Sequence, residues 1–137
     1  MSASSQTVEH VGEWRVELRA DTLTGIFEEL ARVIARLAGT TSGSRGPWQE
    51  IEVDARDRDG LLVDYANELV SRSEIDGRAY DEVRDVVIRD HGQPRIQARV
   101  RGRAVTSWRS PLKAATYHGA QLSPDAGGWR ANVLFDV

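Results

Sequence analysis

Cysteine is missing from this 137-residue chain, which removes disulfides, thiolate metal sites and cysteine nucleophiles together. Lysine is nearly missing too: of 18 basic side chains, every one except Lys113 is arginine. No stretch approaches the roughly 18 successive apolar residues of a membrane-spanning helix. The opening MSASSQTVEHVGEW has neither the basic start nor the apolar centre of a secretory signal, so the cytoplasm is the expected compartment. A formal charge of −3 offers no general attraction to a phosphate backbone, and nucleic-acid contact would need a local patch. Phosphate-cradling GxxxxGK[ST] and GxGxxG loops are absent. GTTSGSRG is rich in glycine, but no lysine follows it and it reads as a plain loop. None of His10, His91 and His118 has the i, i+4 spacing of a helical zinc pair, and no serine has a recognisable histidine and acid around it. An enzyme with its own nucleophile is not expected.

What is present describes one soluble domain over residues 1–137, with Met1 to Thr7 expected as a flexible tail. Hydrophobic residues make up 40% and charged ones 28%, an ordinary globular balance. From Glu13 to Ala20, EWRVELRA alternates, with Trp14, Val16, Leu18 and Ala20 on one face of a half-buried strand. The period then changes. Ile26, Phe27, Leu30, Val33, Ile34 and Leu37 form a helical stripe, with Thr22 as cap, Gly39 as stop and Glu28 placed to pair with Arg32. After a loop over TTSGSRGPW comes a second strand containing Ile51 and Val53. A second helix carries Leu61, Leu62, Tyr65, Leu69 and Val70, with Asp57 or Asp59 as cap and Asp76-Gly77 as stop. DEVRDVVIR and RIQARVRGRAV read as a hairpin around DHGQP, and LKAATYHGAQL and WRANVLFDV as another around SPDAGG. The expected architecture is an α+β layered sandwich. Its sheet is mixed but largely antiparallel, and two amphipathic helices pack on one side.

Two constellations carry chemistry. Arg95, Arg99, Arg101, Arg103 and Arg109 lie close in sequence around Trp108, a composition compatible with an RNA-facing patch but more often that of a solvated strand face. In the closing strand, Trp129, Ala131, Val133, Phe135 and Val137 share one face, and Arg130, Asn132, Leu134 and Asp136 the other. Glu13 is on the polar face of the first alternating strand. If the two strands are neighbours, Glu13 and Asp136 converge at one sheet end, joined by a main-chain oxygen of Val137. Such oxygen donors suit hard cations.

KAATYHG from Lys113, the closing GGWRANVLFDV, DGLLVDYANELV and DTLTGIFEELARVI together resemble the archease family over nearly the whole chain. His10 falls where that family begins its amino-terminal motif. The family usually reads histidine-threonine-alanine-aspartate there. This chain has HVGE, which keeps the charge at Glu13 and moves the carboxylate one methylene outward. The resemblance implies a non-enzymatic activator of an RtcB-type, GTP-dependent RNA ligase, acting in tRNA splicing or RNA repair by promoting ligase guanylylation. It implies a divalent metal, calcium first with magnesium or manganese as alternatives, held by Glu13, Asp136 and Val137. It also makes Lys113 a ligase-activating residue alongside Asp136 and Glu13. The alternative is an RNA-binding or chaperone-like adaptor for tRNA-modifying enzymes, using the arginine cluster.

Overall fold

The computed structural model describes residues 2–10, 12–109 and 113–137, and of His10 only the main chain. Its elements follow in the order β1 (Ala3–His10), β2 (Glu13–Ala20), α1 (Leu23–Ala38), β3 (Gly39–Ser42), β4 (Gln49–Asp54), α2 (Arg58–Asp76), β5 (Arg78–Arg89), β6 (Arg95–Trp108), β7 (Ala114–Asp125) and β8 (Gly128–Asp136). Two sheets form. The first has the order β1-β2-β8-β7; in the second, β3, β4 and β5 all pair with β6. Every one of these pairings is antiparallel. The fold is therefore α+β, as the periodicities imply, with two sheets where one mixed sheet was expected. The helices do not cover one side of a single sheet: α1 touches β2 and β5, and α2 touches β7 and β4, so each meets both sheets.

Helix α1 starts where the Thr22 hydroxyl accepts the Gly25 N–H at 3.0 Å, satisfying one of the orphan donors of its first turn. Its expected apolar stripe is buried throughout. The expected Glu28–Arg32 pair is replaced by a Glu29–Arg32 pair at 2.9 Å, with Arg36 a further 3.7 Å neighbour of Glu29. Glu29 is the buried carboxylate of the two, and a buried charge is costly unless it is met by partners. Helix α2 is capped by Asp57, which accepts the Gly60 N–H at 2.7 Å. It stops at Gly77, whose left-handed φ of 68° suits glycine and whose N–H reaches the Ser73 carbonyl. The helices lock together through Phe27 near the start of α1 and Tyr65 of α2. The Tyr65 ring meets Phe27 edge-on at 4.9 Å, and its hydroxyl donates to the Phe27 carbonyl at 2.9 Å. One continuous apolar core joins both helices to both sheets.

Two stretches expected to be irregular are strands. Within the presumed tail, Ala3 onward pairs residue for residue with β2; Met1 lies outside the described residues. TTSGSRGPW begins with β3, which pairs with the end of β6. Both were hidden because their own side chains are small and polar, so main-chain pairing with a distant strand, not local hydrophobic alternation, makes them strands.

Candidate functional site

Cross-strand partners share a face of a sheet, so the registers of the first sheet set out its outer face in rows across β1, β2, β8 and β7. The rows are Ser4–Arg19–Arg130–Ser123, Gln6–Glu17–Asn132–Gln121, Val8–Arg15–Leu134–Thr116 and His10–Glu13–Asp136–Ala114. The inner face, with Trp14, Val16, Leu18, Ala131, Val133 and Phe135, is buried. Alternation in two strands thus delivers an apolar underside and, at one end of the outer face, the facing acids Glu13 and Asp136.

Glu13 and Asp136 are direct partners in that last row, and both are exposed. The Val137 N–H donates to the Gly12 carbonyl at 3.3 Å. This makes Glu13 and Asp136 a non-hydrogen-bonded pair, the type in which facing side chains stand closest. Like charges so placed repel. Val137 continues from the same row, and the Lys113 N–H donates to the Asp136 carbonyl at 2.9 Å. All four expected site residues therefore meet at one end of the first sheet.

Their side chains divide between two sides. Lys113 has the parity of buried Ala115, opposite to Ala114 in the acidic row. It lines a groove of about 590 Å³ with Ile34, Val70, Ser73, Glu74 and Trp108, between the carboxyl-terminal halves of both helices. Lys113 makes no ion pair with a described residue. Among the described residues no group of three or more histidine, aspartate and glutamate side chains converges. A cation at the acidic row would rest on two carboxylates completed by main-chain oxygens such as that of Val137. That donor set is chemically suited to calcium, magnesium or manganese.

The strand that follows Lys113 is fastened to α2 by side chains that the sequence patterns did not reveal. Asn67 donates to the Ala115 carbonyl at 3.1 Å and accepts the Ala115 N–H at 2.7 Å. It pairs with the edge strand β7 as another strand would. Asp59 accepts the Leu122 N–H at 2.8 Å. Between these anchors the β7–β8 register shifts from Thr116–Leu134 to Gln121–Asn132, so β7 bulges over Tyr117, His118, Gly119 and Ala120. Gly119 takes a φ of 69° there, a conformation glycine adopts without penalty. The Tyr117 hydroxyl donates to Asp64, and that hydrogen bond, more than burial, raises the Tyr117 pKa. The one signal for these anchors was polar residues on the same helix as an apolar stripe.

The arginine cluster has a different character. Arg95 pairs with Glu52 and Asp54, Arg99 with Glu50, and Arg101 with Glu82. Arg103 donates to the Gly43 carbonyl at 3.0 Å. Arg101 and Arg84 also lie over the Trp48 ring, at 4.4 and 4.1 Å. Acids of β4 and β5 thus answer most of the row. Arg109 is exposed beyond the end of β6. His91 is exposed in the β5–β6 turn and His118 in the bulge.

Two antiparallel sheets and two helices around one core, with the charged groups gathered at one sheet end, define a small α+β protein. The archease protein family model matches residues 6–137, and the chain belongs to that family. Protein archease of Methanosarcina barkeri is 26% identical over 136 residues, which is 95% of this chain and 93% of that protein. Protein archease of Methanopyrus kandleri is 26% identical over 138 residues, covering 96% and 98%. The solution structure of Methanobacterium thermoautotrophicum protein 1598 superposes with a TM-score of 0.78 at 19% identity, covering 97% and 98% of the two chains. The crystal structure of an archease, possible chaperone, from Thermotoga maritima gives 0.62 at 16% identity, covering 96% of each. These two share the fold. None of these names describes a catalysed reaction. Among the described residues, no helix is long and apolar enough to cross a membrane.

Proposed function

We propose that this chain is a cytoplasmic activator of an RtcB-type, GTP-dependent RNA ligase and promotes attachment of guanylate to the ligase. The observation that carries this reading is the opposed pair Glu13–Asp136, with Lys113 and Val137 at the same sheet end. Two exposed carboxylates at the closest cross-strand spacing are unfavourable for the isolated chain, which supports their use with a cation. Glu13, Asp136 and a main-chain oxygen of Val137 would hold a divalent ion, which supplies positive charge for developing charge on nucleotide phosphates. Asp136 has a second task, because its carbonyl fixes the main chain of Lys113. Among the described residues the Lys113 ammonium has no ion-pair partner, and its compact charge suits a phosphate oxygen of a partner-bound nucleotide.

The adaptor reading, to which the possible-chaperone description of the Thermotoga relative would lend itself, relied on RNA binding through Arg95, Arg99, Arg101, Arg103 and Arg109. Pairing of the first three with acids weakens its support. The deciding experiment mixes the protein with its ligase, GTP and a divalent metal, and measures ligase guanylylation before RNA is added. The activator accelerates that step, and Asp136→Ala loses the effect while staying folded. Acceleration that requires RNA and vanishes in an Arg99→Gln/Arg101→Gln/Arg103→Gln variant would establish the adaptor instead.

A further inference from the structure

We propose a second binding site on the outer face of the first sheet, at the end remote from the acidic row. It takes a phosphate group and is formed by Arg19 and Arg130, with Ser4 and Ser123 on either side. Arg19 and Arg130 are direct partners on β2 and β8. The register runs from the Glu13–Asp136 row without a shift, so the two guanidinium groups occupy the same close type of pair. Six residues of strand, about 20 Å, separate the two rows. One face therefore carries paired acids at one end and paired bases at the other.

Of the nearby carboxylates, Asp125 holds Arg19 itself, while Asp21 and Glu17 have partners outside the pair. Asp125 accepts from Arg19 at 2.5 Å and from the Ala126 N–H at 2.8 Å. Asp21 accepts the Ser2 N–H at 2.8 Å, and Glu17 lies 3.8 Å from Arg15. Arg130 is exposed and makes no hydrogen bond or ion pair with a described residue. Beside it is a cavity of about 270 Å³ lined by Ser4, Gln6, Glu17, Arg19, Arg130 and Asn132. Ser4, Ser5, Gln6 and Asn132 of that lining can donate hydrogen bonds, beside the apolar Leu18 and Ala131. Guanidinium forks from two facing residues suit the oxygens of a tetrahedral dianion. Glu17 closes one wall with negative charge, so the cavity takes a single phosphate and not an extended chain. The phosphate comes either as the free ion or as the terminal group of a nucleotide chain. The site does not depend on the ligase reading.

The test is a heteronuclear NMR titration of the full chain with inorganic phosphate, against sodium chloride at matched ionic strength. The same titration follows with a short oligonucleotide carrying a 5′ phosphate and with one lacking it. Saturable shifts are expected at the amides around Arg19 and Arg130. Arg130→Gln should weaken phosphate binding about tenfold or more, as loss of a charge-assisted pair implies. Asp125→Asn should tighten it by releasing Arg19, and Arg89→Gln, exposed on the second sheet, should leave it unchanged. Tighter binding of the phosphorylated oligonucleotide than of the free ion assigns the site to a nucleotide end; the reverse assigns it to free phosphate. Shifts no larger than those of chloride overturn the proposal. So does equal weakening by Arg130→Gln and Arg89→Gln, or equal binding of both oligonucleotides, each tighter than that of the free ion.

Discussion

Glu13 on β2 and Asp136 on β8 face each other as a non-hydrogen-bonded cross-strand pair, the closest side-chain spacing that an antiparallel sheet offers. Without a cation the pair is repulsive. Asp136→Asn should therefore leave the metal-free protein slightly more stable, by about 0.5 kcal/mol. In the wild type, added calcium, magnesium or manganese should raise the melting temperature, with about 2.7 kcal/mol of stabilisation at a hundred times the Kd. Asp136→Asn and Glu13→Gln should each flatten that rise. A wild-type melting temperature that does not respond to any of the three metals removes the site.

The three tyrosines of the chain all have pKa values above the ordinary phenol value. Burial is the main cause for Tyr65, and for Tyr80, which is pushed up to about 12 with the Asp76 hydrogen bond as second cause; the Asp64 hydrogen bond leads for Tyr117. A group whose folded pKa is raised contributes stability that is complete below its unfolded pKa and lost as pH climbs through the folded one. Stability should hold up to about pH 10 and decline from there through pH 12. Ultraviolet titration of the folded protein should show no phenol ionising at the ordinary value. A full-amplitude tyrosine transition there, without unfolding, would contradict the buried and hydrogen-bonded placements.

Asn67 acts as one residue of a missing neighbouring strand for β7, giving and taking one hydrogen bond with Ala115. Asn67→Leu should destabilise the fold by about 2–3 kcal/mol, because it leaves two main-chain groups of a buried residue unpaired. Asn67→Asp retains an acceptor for the Ala115 N–H and should lose less. Chemical denaturation orders the three proteins. Hydrogen exchange at Ala115 should speed up in both variants, most in the leucine one.

The elements with a hydrophobic period were legible from the sequence. Strand β2 and helix α1 follow from alternation and from the i, i+3, i+4 stripe, and the parity of Glu13 and Asp136 already placed both on the polar face. What stayed hidden depends on register between distant strands. Ser5 and Thr7 give β1 no apolar alternation, yet Ser5 accepts a hydrogen bond from Arg36 of α1 and the strand pairs fully with β2. That Arg99 meets Glu50 and Arg101 meets Glu82 follows from how β4 and β5 align on β6, so no local pattern could separate a paired row from an RNA-facing one. The choice of Glu29 over Glu28 turns on which of two adjacent carboxylates is buried, one step of helical rotation.

Lys113 tests whether the two sides of the sheet end work together. Its main chain is fixed by Asp136 on one side, and its side chain lines the groove beside Trp108, Ser73 and Glu74 on the other. Being exposed and without an ion pair to a described residue, it contributes little to folding, so Lys113→Ala should change stability by no more than about 0.5 kcal/mol. The same substitution should abolish acceleration of ligase guanylylation. Lys113→Arg preserves the charge but replaces a rotatable point charge by a planar fork, and it too should fail. Metal-dependent stabilisation at Glu13 and Asp136 should survive both changes, since the ammonium and the carboxylates lie on opposite sides of the sheet. Full activation by the arginine variant would mean that charge alone suffices. Loss of metal response in Lys113→Ala would mean instead that the lysine supports the acidic row and has no separate task at the partner's nucleotide.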